Sequence, residues 1–340
     1  MCYYIQWVIN LKKILCLLFS LILVFSLCSC LANDENVSVT PTGEKDNREE
    51  TEEISSEIEI STETKQTFVS KIEYGKNTGT DKTLTGLEPL PLVDFSITDA
   101  NNSKGLSTEK ISHSFGVAKN EVANDISINS QKHFDENNFN ALTLDTKTVE
   151  KVVYLTFDVG YDNGYTGKIL DTLKKKNVPA AFFCTVDEMK SDPESIARMI
   201  NEGHIVGNHT NTHPSMDELS RTEMMKEVKA FDDYIRTNFG YSSPYFRFPK
   251  GEYSDCAIDL LGSLGYTSVF WSLAYADWDI SNQKGASYAL ETVTSRVHSG
   301  AVILLHAVSS DNAEALADII DAIRAKGYEF KSLEDYRNNY

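Results

Sequence analysis

The chain has 340 residues, a formal net charge of -18, a mean hydropathy of -0.30 and 41% apolar residues. This length holds one large domain or two ordinary ones, and the apolar fraction is that of a folded protein. The acidity argues against nucleic acid as a partner, because phosphate binding needs a basic face and the sequence shows none.

Residues 1–30 have the pattern of an export signal. Lys12 and Lys13 precede an apolar run, ILCLLFSLILVFSL, which suits a signal-peptide core and is short for a transmembrane helix. The run closes with LCSC, which resembles a lipobox with cleavage before Cys30 and a lipid on its thiol. An uncleaved membrane anchor is the alternative. In both cases the protein is expected to be exported and tethered to the outer face of the cytoplasmic membrane.

The next segment, residues 31–105, is predicted to be an acidic and mostly disordered linker. From Leu31 to Ser70 there are eleven acidic and three basic residues, with many Ser and Thr. Such a composition cannot bury enough apolar surface to fold. The stretch LEPLPLVDF is the only apolar patch between residue 71 and the end of this segment.

Residues 106–150 are predicted to be an N-terminal extension that packs on a folded domain at 151–340. The two cysteines of that domain, Cys184 in a predicted strand and Cys256 at the start of a predicted helix, permit one disulfide. Two buried free thiols are the simpler interpretation, and we prefer it.

From Lys151 onward, short apolar runs alternate with helical periods. KVVYLTF and AAFFCTV indicate buried strands, whereas TGKILDTLKKKN and RTEMMKEVKAFDDYIRTNFG indicate helices, and the alternation continues to the C terminus. The strand runs are apolar throughout, as expected for parallel strands covered on both faces. The pattern predicts an α/β fold, with a closed or nearly closed barrel as the first choice and an open doubly wound sheet as the second.

Unusual polar residues fall at or near the carboxyl ends of these predicted strands: Asp158, His209, His213, Arg247, Asp277 and His306. Barrels and open α/β sheets both assemble their active sites at that edge. These residues are therefore predicted to form one site.

Two histidines of this set have the spacing of metal ligands. His209 and His213, in HTNTHP, lie four residues apart and could share zinc in a hydrolytic site that leaves a position open for water. Two ordinary surface histidines are the alternative. His306, at the end of AVILLH, is either a satisfied core histidine or, with Asp158, half of an acid and base pair.

Arg247 lies in a predicted buried strand, where a cation is costly unless it is paired. Asp158 and Asp277 are its candidate partners, and a purely structural ion pair is the competing account. The following turn, with Pro249 and Lys250, could aim backbone N–H groups at an oxyanion. Trp278 could wall a sugar pocket or belong to the core.

Five stretches, TFDVG, HTNTH, RFPKG, YADW and LLH, occur in an order and spacing that resemble the polysaccharide deacetylase family, the NodB-homology carbohydrate esterases. The resemblance runs from about Lys151 to Tyr336. Within the family the chain is most similar to the spore-cortex N-acetylmuramic acid deacetylases of muramic δ-lactam synthesis, and ISHSFG resembles the segment that precedes their catalytic barrel. The fold implied is a distorted (β/α) barrel.

The resemblance also implies a role for each site residue. Asp158 would be the general base, with Arg247 orienting it and Asp277 holding Arg247. His306 would be the general acid. The remaining roles are metal ligation by His209 and His213, oxyanion binding near Pro249 and Lys250, and an acetyl pocket lined by Leu304 and Trp278.

One position departs from the family pattern. The usual motif is T-F-D-D-G, whose second aspartate completes a metal site of two histidines and one carboxylate, and here that position is Val159. A valine has no donor atom, so binding of a divalent metal, zinc by preference, is expected to be weakened. Asp162 is the nearest replacement in the sequence, although a solvated turn acid is the usual fate of such a residue.

The function predicted from these motifs is hydrolysis of amide bonds, specifically de-N-acetylation of N-acetylmuramic acid in peptide-free peptidoglycan, leading to muramic δ-lactam in spore cortex. The predicted partner is the glycan strand, after a muramoyl-L-alanine amidase has removed the stem peptide. Two alternatives remain: an N-acetylglucosamine deacetylase acting on peptidoglycan or chitooligosaccharides, and a non-catalytic glycan-binding module.

Overall fold

The computed structural model describes residues 83–339. The predicted export signal at 1–30, with its possible lipid on Cys30, and most of the acidic linker lie outside the described residues. Within 83–339, none of the helices has the length and apolarity needed to cross a membrane.

Strands and helices alternate through most of this range. The strands are β1 (Ile111–Ser112), β2 (Ala141–Leu142), β3 (Val152–Val159), β4 (Ala181–Cys184), β5 (Ile205–Asn208), β6 (Tyr245–Phe246), β7 (Glu252–Tyr253), β8 (Thr267–Val269), β9 (Ala301–His306) and β10 (Glu329–Lys331). The helices are α1 (Asp125–Glu136), α2 (Thr166–Lys176), α3 (Val186–Ser191), α4 (Pro193–Asn201), α5 (Arg221–Phe239), α6 (Asp255–Ser263), α7 (Ala286–Arg296), α8 (Ser310–Ala325) and α9 (Leu333–Asn339). Short 3₁₀ turns occupy Met216–Glu218 and Pro249–Gly251.

The main sheet is parallel and curled. Its order is β10-β3-β4-β5-β6-β8-β2, and β9 also pairs with β3. Beyond β8, the carbonyl of Leu273 accepts the N–H of Leu304 on β9 at 2.9 Å, which brings the two ends of the curl together. The distorted (β/α) barrel is therefore confirmed, and the open doubly wound alternative is not what forms.

The central strand β3 shows how the sequence fixes the two faces of the sheet. Val153, Leu155, Phe157 and Val159 pack in one large apolar cluster with residues of the surrounding helices. Successive side chains of a strand alternate between faces, so Asp158 points to the other face. Both faces are covered, which explains why the run is apolar almost throughout.

The helices begin and end at residues with clear local causes. α5 starts with a capping box, in which the Ser220 side chain accepts the N–H of Glu223 and the Glu223 side chain accepts the N–H of Ser220. It ends at Gly240, whose φ of 61° is the left-handed conformation that glycine adopts at little cost. α2 buries Ile169, Leu170 and Leu173, as its helical period predicts.

Residues 83–105 contain no helix or strand, yet they are attached to the folded domain. The N–H of Leu84 donates to the carbonyl of Asn238 at 2.9 Å, and that of Leu90 donates to Arg236 at 3.1 Å. Leu87 and Phe95, from the apolar patch of the linker, pack against the core. These contacts differ from the expected disorder up to residue 105, because that patch supplies enough apolar surface to dock.

The extension at 106–150 contributes two strands. β1 pairs antiparallel with β7 through Ile111 and Tyr253, and β2 pairs parallel with β8 at the end of the sheet order. Both Cys184 and Cys256 are buried free thiols, in agreement with the preferred interpretation.

Candidate active site

A cavity of about 790 Å³ opens at the carboxyl ends of the strands. It brings together most of the residues singled out in the sequence: Asp158, His209, His213, Lys250, Trp278, Leu304 and His306. Two more, Arg247 and Asp277, are buried directly behind Asp158 and His306, to which they bond. The expectation of one site at one edge of the sheet agrees with this arrangement.

Asp158 and Arg247 form a buried ion pair. Nη1 of Arg247 lies 2.8 Å from Oδ1 of Asp158. The other N–H groups of the same guanidinium donate to Thr156 Oγ1 at 2.9 Å and to main-chain carbonyls. The guanidinium carbon lies 4.1 Å from the centre of the Phe183 ring. Because the charge is paired with a carboxylate and also donates to a hydroxyl and to main-chain carbonyls, it is tolerated in the interior.

The same pair sets the protonation state of Asp158. Burial is the largest single influence and raises the pKa of this carboxyl, but the charge and hydrogen bond of Arg247, together with the imidazoles of His209 and His306, outweigh burial and the pKa lies below its usual value. Asp158 is therefore ionised at neutral pH and can accept a proton.

His306 stands beside Asp158. The two residues are directly paired positions of the parallel strands β9 and β3. Burial is the largest single influence and lowers the pKa of the His306 imidazole, but the charge and hydrogen bond of Asp277, together with the charge of Asp158, outweigh burial and the pKa is raised above its usual value. The site therefore holds an ionised carboxylate and an imidazole that retains its proton to higher pH, which are the states required of a base and an acid.

Asp277 contacts His306 and not Arg247, so the expectation that Asp277 holds Arg247 is wrong. Its Oδ1 lies 2.7 Å from Nδ1 of His306, and its Oδ2 accepts the N–H of His306 at 2.8 Å and the amide of Asn312 at 2.5 Å. The segment after β8 runs along β9, which carries the Asp277 carboxylate to the end of that strand.

His209 and His213 lie together at one wall of the cavity. Nδ1 of His209 donates to the carbonyl of Arg247 at 2.8 Å, which leaves Nε2 as the acceptor, 3.7 Å from Oδ2 of Asp158. The two imidazole centres are 4.9 Å apart. Burial lowers the pKa of His209 to about 4 and also lowers that of His213. Both rings are thus neutral at pH 7, the form that binds a metal.

The loop that carries these histidines is held in an unusual conformation. Thr210 and His213 both have positive φ, 74° and 59°, which is costly for residues with a side chain. Glu227 accepts the N–H groups of Asn211 and Thr212, and Thr210 Oγ1 accepts the N–H of His213. These bonds fix the positions of the two rings before any ligand binds.

The third ligand of a metal site is missing. Val159 is completely buried in the apolar cluster and does not line the cavity, while the carboxylate of Asp162 accepts a hydrogen bond from Thr166 at 2.9 Å outside it. Within 83–339, no group of three or more His, Cys, Asp or Glu residues is placed to hold a metal. The donors present are two nitrogens, which do not fit a complete three-ligand site, so no step below passes through a metal.

Residues of the PKGEY turn differ in their access to the cavity. Lys250 lines it, whereas Pro249 is buried and is not among the lining residues, so a direct substrate contact for Pro249 is not supported. Leu304 lies two residues before His306 on β9 and faces the cavity with it. Trp278 is 49% exposed, and its ring is 5.6 Å from that of His306.

Some residues of the site were not singled out in the sequence. Thr156 and Asn312 bond to Arg247 and Asp277, and Phe115 faces Trp278 with 6.2 Å between ring centres. Thr156 could have been found, because it lies two positions before Asp158 and shares its face of the strand. No local pattern marks Phe115, since it reaches the cavity only through the pairing of β1 with β7.

The geometry agrees with comparisons to known proteins. The sequence model described as Polysaccharide deacetylase matches residues 145–269. The peptidoglycan-N-acetylmuramic acid deacetylase PdaA of Bacillus subtilis is 44% identical over 189 residues, which are 55% of this chain and 72% of the relative. The chain belongs to the polysaccharide deacetylase family. As a member of this family it is a hydrolase that acts on amide bonds.

Two further comparisons support the assignment to the polysaccharide deacetylase family. The structure of B. subtilis PdaA, described as a family 4 carbohydrate esterase, superimposes with a TM-score of 0.63 and 39% identity, covering 68% of this chain and 97% of that one. A peptidoglycan-N-acetylglucosamine deacetylase of Bacillus cereus is 32% identical over 189 residues, covering 53% of this chain and 66% of the relative. Members of the family are generally metal-dependent.

Proposed function

We propose that this polysaccharide deacetylase removes the acetyl group from N-acetylmuramic acid residues of peptide-free peptidoglycan, leading to muramic δ-lactam in the spore cortex. The similarity to PdaA supports this substrate. The observation that carries the reaction is the direct pairing of Asp158 and His306, with their pKa values shifted in opposite directions.

The chemistry follows from these two protonation states. Asp158 takes a proton from water as the water oxygen bonds to the acetyl carbon, and Arg247 keeps the carboxylate oriented. The oxyanion that forms is held by the backbone N–H of Lys250, because the N–H groups of Gly251 and Glu252 already donate within the turn. His306 then donates its proton to the nitrogen as the C–N bond breaks. Acetate and a free amine result, and the amine can close on the lactyl carboxyl to give the lactam, a condensation in which a carboxyl C–O bond breaks and one water is released.

A divalent metal is proposed to bind weakly at His209 and His213, with zinc favoured by the nitrogen donors. Water or substrate would complete the coordination where Val159 supplies no ligand. The support is the pair of neutral imidazoles, one of which is oriented by the carbonyl of Arg247.

We also propose that the protein is exported and anchored as a lipoprotein through Cys30, or by an uncleaved leader, and works at the outer face of the cytoplasmic or forespore membrane. A muramoyl-L-alanine amidase would act before it. The support is the sequence of residues 1–30 and, for the order of reactions, the requirement for a peptide-free substrate.

A second candidate is de-N-acetylation of N-acetylglucosamine in peptidoglycan or chitooligosaccharides. The similarity to the B. cereus glucosamine deacetylase favours it. A non-catalytic glycan-binding module is less well supported, because binding alone needs neither the Asp158–Arg247 pair nor the His306–Asp277 pair.

Mass spectrometry of glycan fragments distinguishes these possibilities. Peptide-stripped peptidoglycan fragments and chitooligosaccharides are incubated with the protein, with chelator and with added zinc. A mass decrease of about 42 Da in muramic acid, the net change when hydrogen replaces an acetyl group, supports the proposal. Loss only from glucosamine would replace it with the second candidate, and binding without acetyl loss would favour the module.

A further inference from the structure

Lys250 places a positive charge at the lining of the cavity. Among the cavity-lining residues of the described chain it is the only lysine or arginine. The guanidinium of Arg247 is fully buried and already paired with Asp158. The imidazole of His306 is already paired with Asp277, so an anionic group on a ligand would meet the ammonium of Lys250 as the cation without a carboxylate bonded to it.

The ammonium of Lys250 is positioned by a hydroxyl and not by a direct ion pair. Its Nζ donates to Oγ of Ser215 at 3.0 Å, and that hydroxyl donates to Glu252 at 2.8 Å. Glu252 is itself paired with Lys110 at 2.8 Å. Within residues 83–339, Lys250 forms no ion pair of its own, although its charge, after the bonds from Lys110 and Ser215, contributes to lowering the pKa of Glu252. A neutral hydroxyl thus holds the cation at the edge of the cavity.

The backbone at Lys250 fixes where this side chain starts. Its φ is 59° and its ψ is 3°, a conformation that costs about 1 to 2 kcal/mol for a residue with a side chain. The next residue, Gly251, has no room for a Cβ, which would lie 2.7 Å from the Trp271 ring. The turn is therefore held by packing, and the Lys250 side chain leaves it in one direction.

The proposed substrate carries one group that this cation would recognise. Peptide-free muramic acid has a lactyl carboxylate on C3, beside the acetamido group on C2. Glucosamine has only a hydroxyl there, and a stem peptide would convert the carboxylate into a neutral amide. The charge exists only on the glycan that the proposed function requires.

We propose that Lys250 is a specificity-determining residue, whose ammonium binds the lactyl carboxylate of peptide-free muramic acid. This inference rests on the proposed function. Binding of this carboxylate by Lys250 would explain two substrate preferences: for muramic acid over glucosamine, and for peptide-free over peptide-bearing glycan strands. The reaction that supplies the substrate must be an amide hydrolysis that frees this carboxylate.

The test compares two substrates with three variants of the full chain, solubilised in detergent. The substrates are peptide-stripped muramic fragments with the lactyl group as the free acid or as its carboxamide, and kcat/KM for acetate release is measured on each. The variants are Lys250→Met, which keeps an unbranched side chain at the same backbone conformation, Lys250→Arg, and Lys168→Met, an exposed lysine outside the cavity.

A charged hydrogen bond is worth enough for a preference of about tenfold or more. We expect the wild-type protein to prefer the acid to the carboxamide by that factor, Lys250→Met to lose the preference, and Lys250→Arg and Lys168→Met to retain it. A wild-type preference that survives in Lys250→Met overturns the role of Lys250 alone. A wild-type protein that deacetylates chitooligosaccharides and neither muramic substrate overturns the proposed function, and the inference with it.

Discussion

Asp277 contacts His306 twice: its Oδ1 lies 2.7 Å from Nδ1 of the imidazole, and its Oδ2 accepts the backbone N–H of the same residue at 2.8 Å. The carboxylate thereby fixes both the ring and the protonated state of His306. Since Nδ1 is occupied, Nε2 is the nitrogen left to face a substrate, and it has no hydrogen-bond partner in the described part of the chain.

This contact predicts a shift in the pH profile of Asp277→Asn. Asp277 raises the pKa of His306, so its removal lets the imidazole lose its proton at lower pH. We expect the alkaline limb of kcat/KM to move to lower pH and the rate at neutral pH to fall. The profile is measured by acetate release between pH 5 and 10. Asp171→Asn, on the exposed face of α2, is the control, and an unmoved limb in Asp277→Asn would contradict the acid role of His306.

Asp158→Asn should abolish most turnover in a folded protein. The amide oxygen of Asn can still accept the Arg247 hydrogen bond, but it cannot take a proton from water. General base catalysis contributes about 10² to 10⁴, and we expect a loss in kcat of that size. Circular dichroism and the thermal midpoint report folding. A folded variant with kcat within tenfold of the wild type would refute the assignment of the base.

The aromatic pair at the mouth of the cavity should contribute to glycan binding. Phe115 and Trp278 place their rings 6.2 Å apart, and Trp278 is half exposed. Such rings stack on sugar faces, and each aromatic contact is worth about 0.5 to 1.5 kcal/mol. We expect Phe115→Ala and Trp278→Ala each to raise KM about two- to tenfold. Tyr288→Ala, an exposed aromatic residue outside the cavity, is the control.

The two neutral imidazoles of His209 and His213 predict weak zinc binding that does not involve Asp162. We expect His209→Ala and His213→Ala to lose zinc binding in calorimetric titrations. Asp162→Asn should leave the zinc Kd unchanged, because its carboxylate bonds to Thr166 outside the cavity. A tenfold weaker Kd in Asp162→Asn would instead make Asp162 the missing ligand.

Gly207→Ala should disturb both stability and activity. A Cβ at this position on β5 would lie 2.6 Å from the ring of Phe183, which in turn faces the Arg247 guanidinium at 4.1 Å. Overpacking of a core costs about 1 to 3 kcal/mol, and the displaced ring would move the cation that orients Asp158. Urea unfolding and kcat test this. Gly167→Ala, where the nearest atom is 3.9 Å away, should be tolerated, and equal effects would contradict the packing argument.

Much of the fold could be predicted because its signals are local. The apolar runs mark the parallel strands, and the helical periods of α2 and α5 mark the helices between them. Since parallel strands share one carboxyl edge, Asp158, His209 and His306 could be assigned to one site without coordinates.

The pairing of side chains could not be predicted in the same way. Arg247 had two candidate partners, and the sequence does not show which carboxylate reaches it. The segment after β8 carries Asp277 to His306 instead, and β1 brings Phe115 to the cavity from about forty residues before β3. These contacts depend on how distant segments pack.

The sequence by itself determined the α/β alternation, the edge that holds the site and the loss of a carboxylate at Val159. Only the tertiary structure decided that Asp277 contacts His306, that Val159 lies in the apolar core, and that Lys250 lines the cavity. The reason is physical: periodicity and strand ends are properties of neighbouring residues, whereas the direction and partner of a side chain are set by residues far away in the chain.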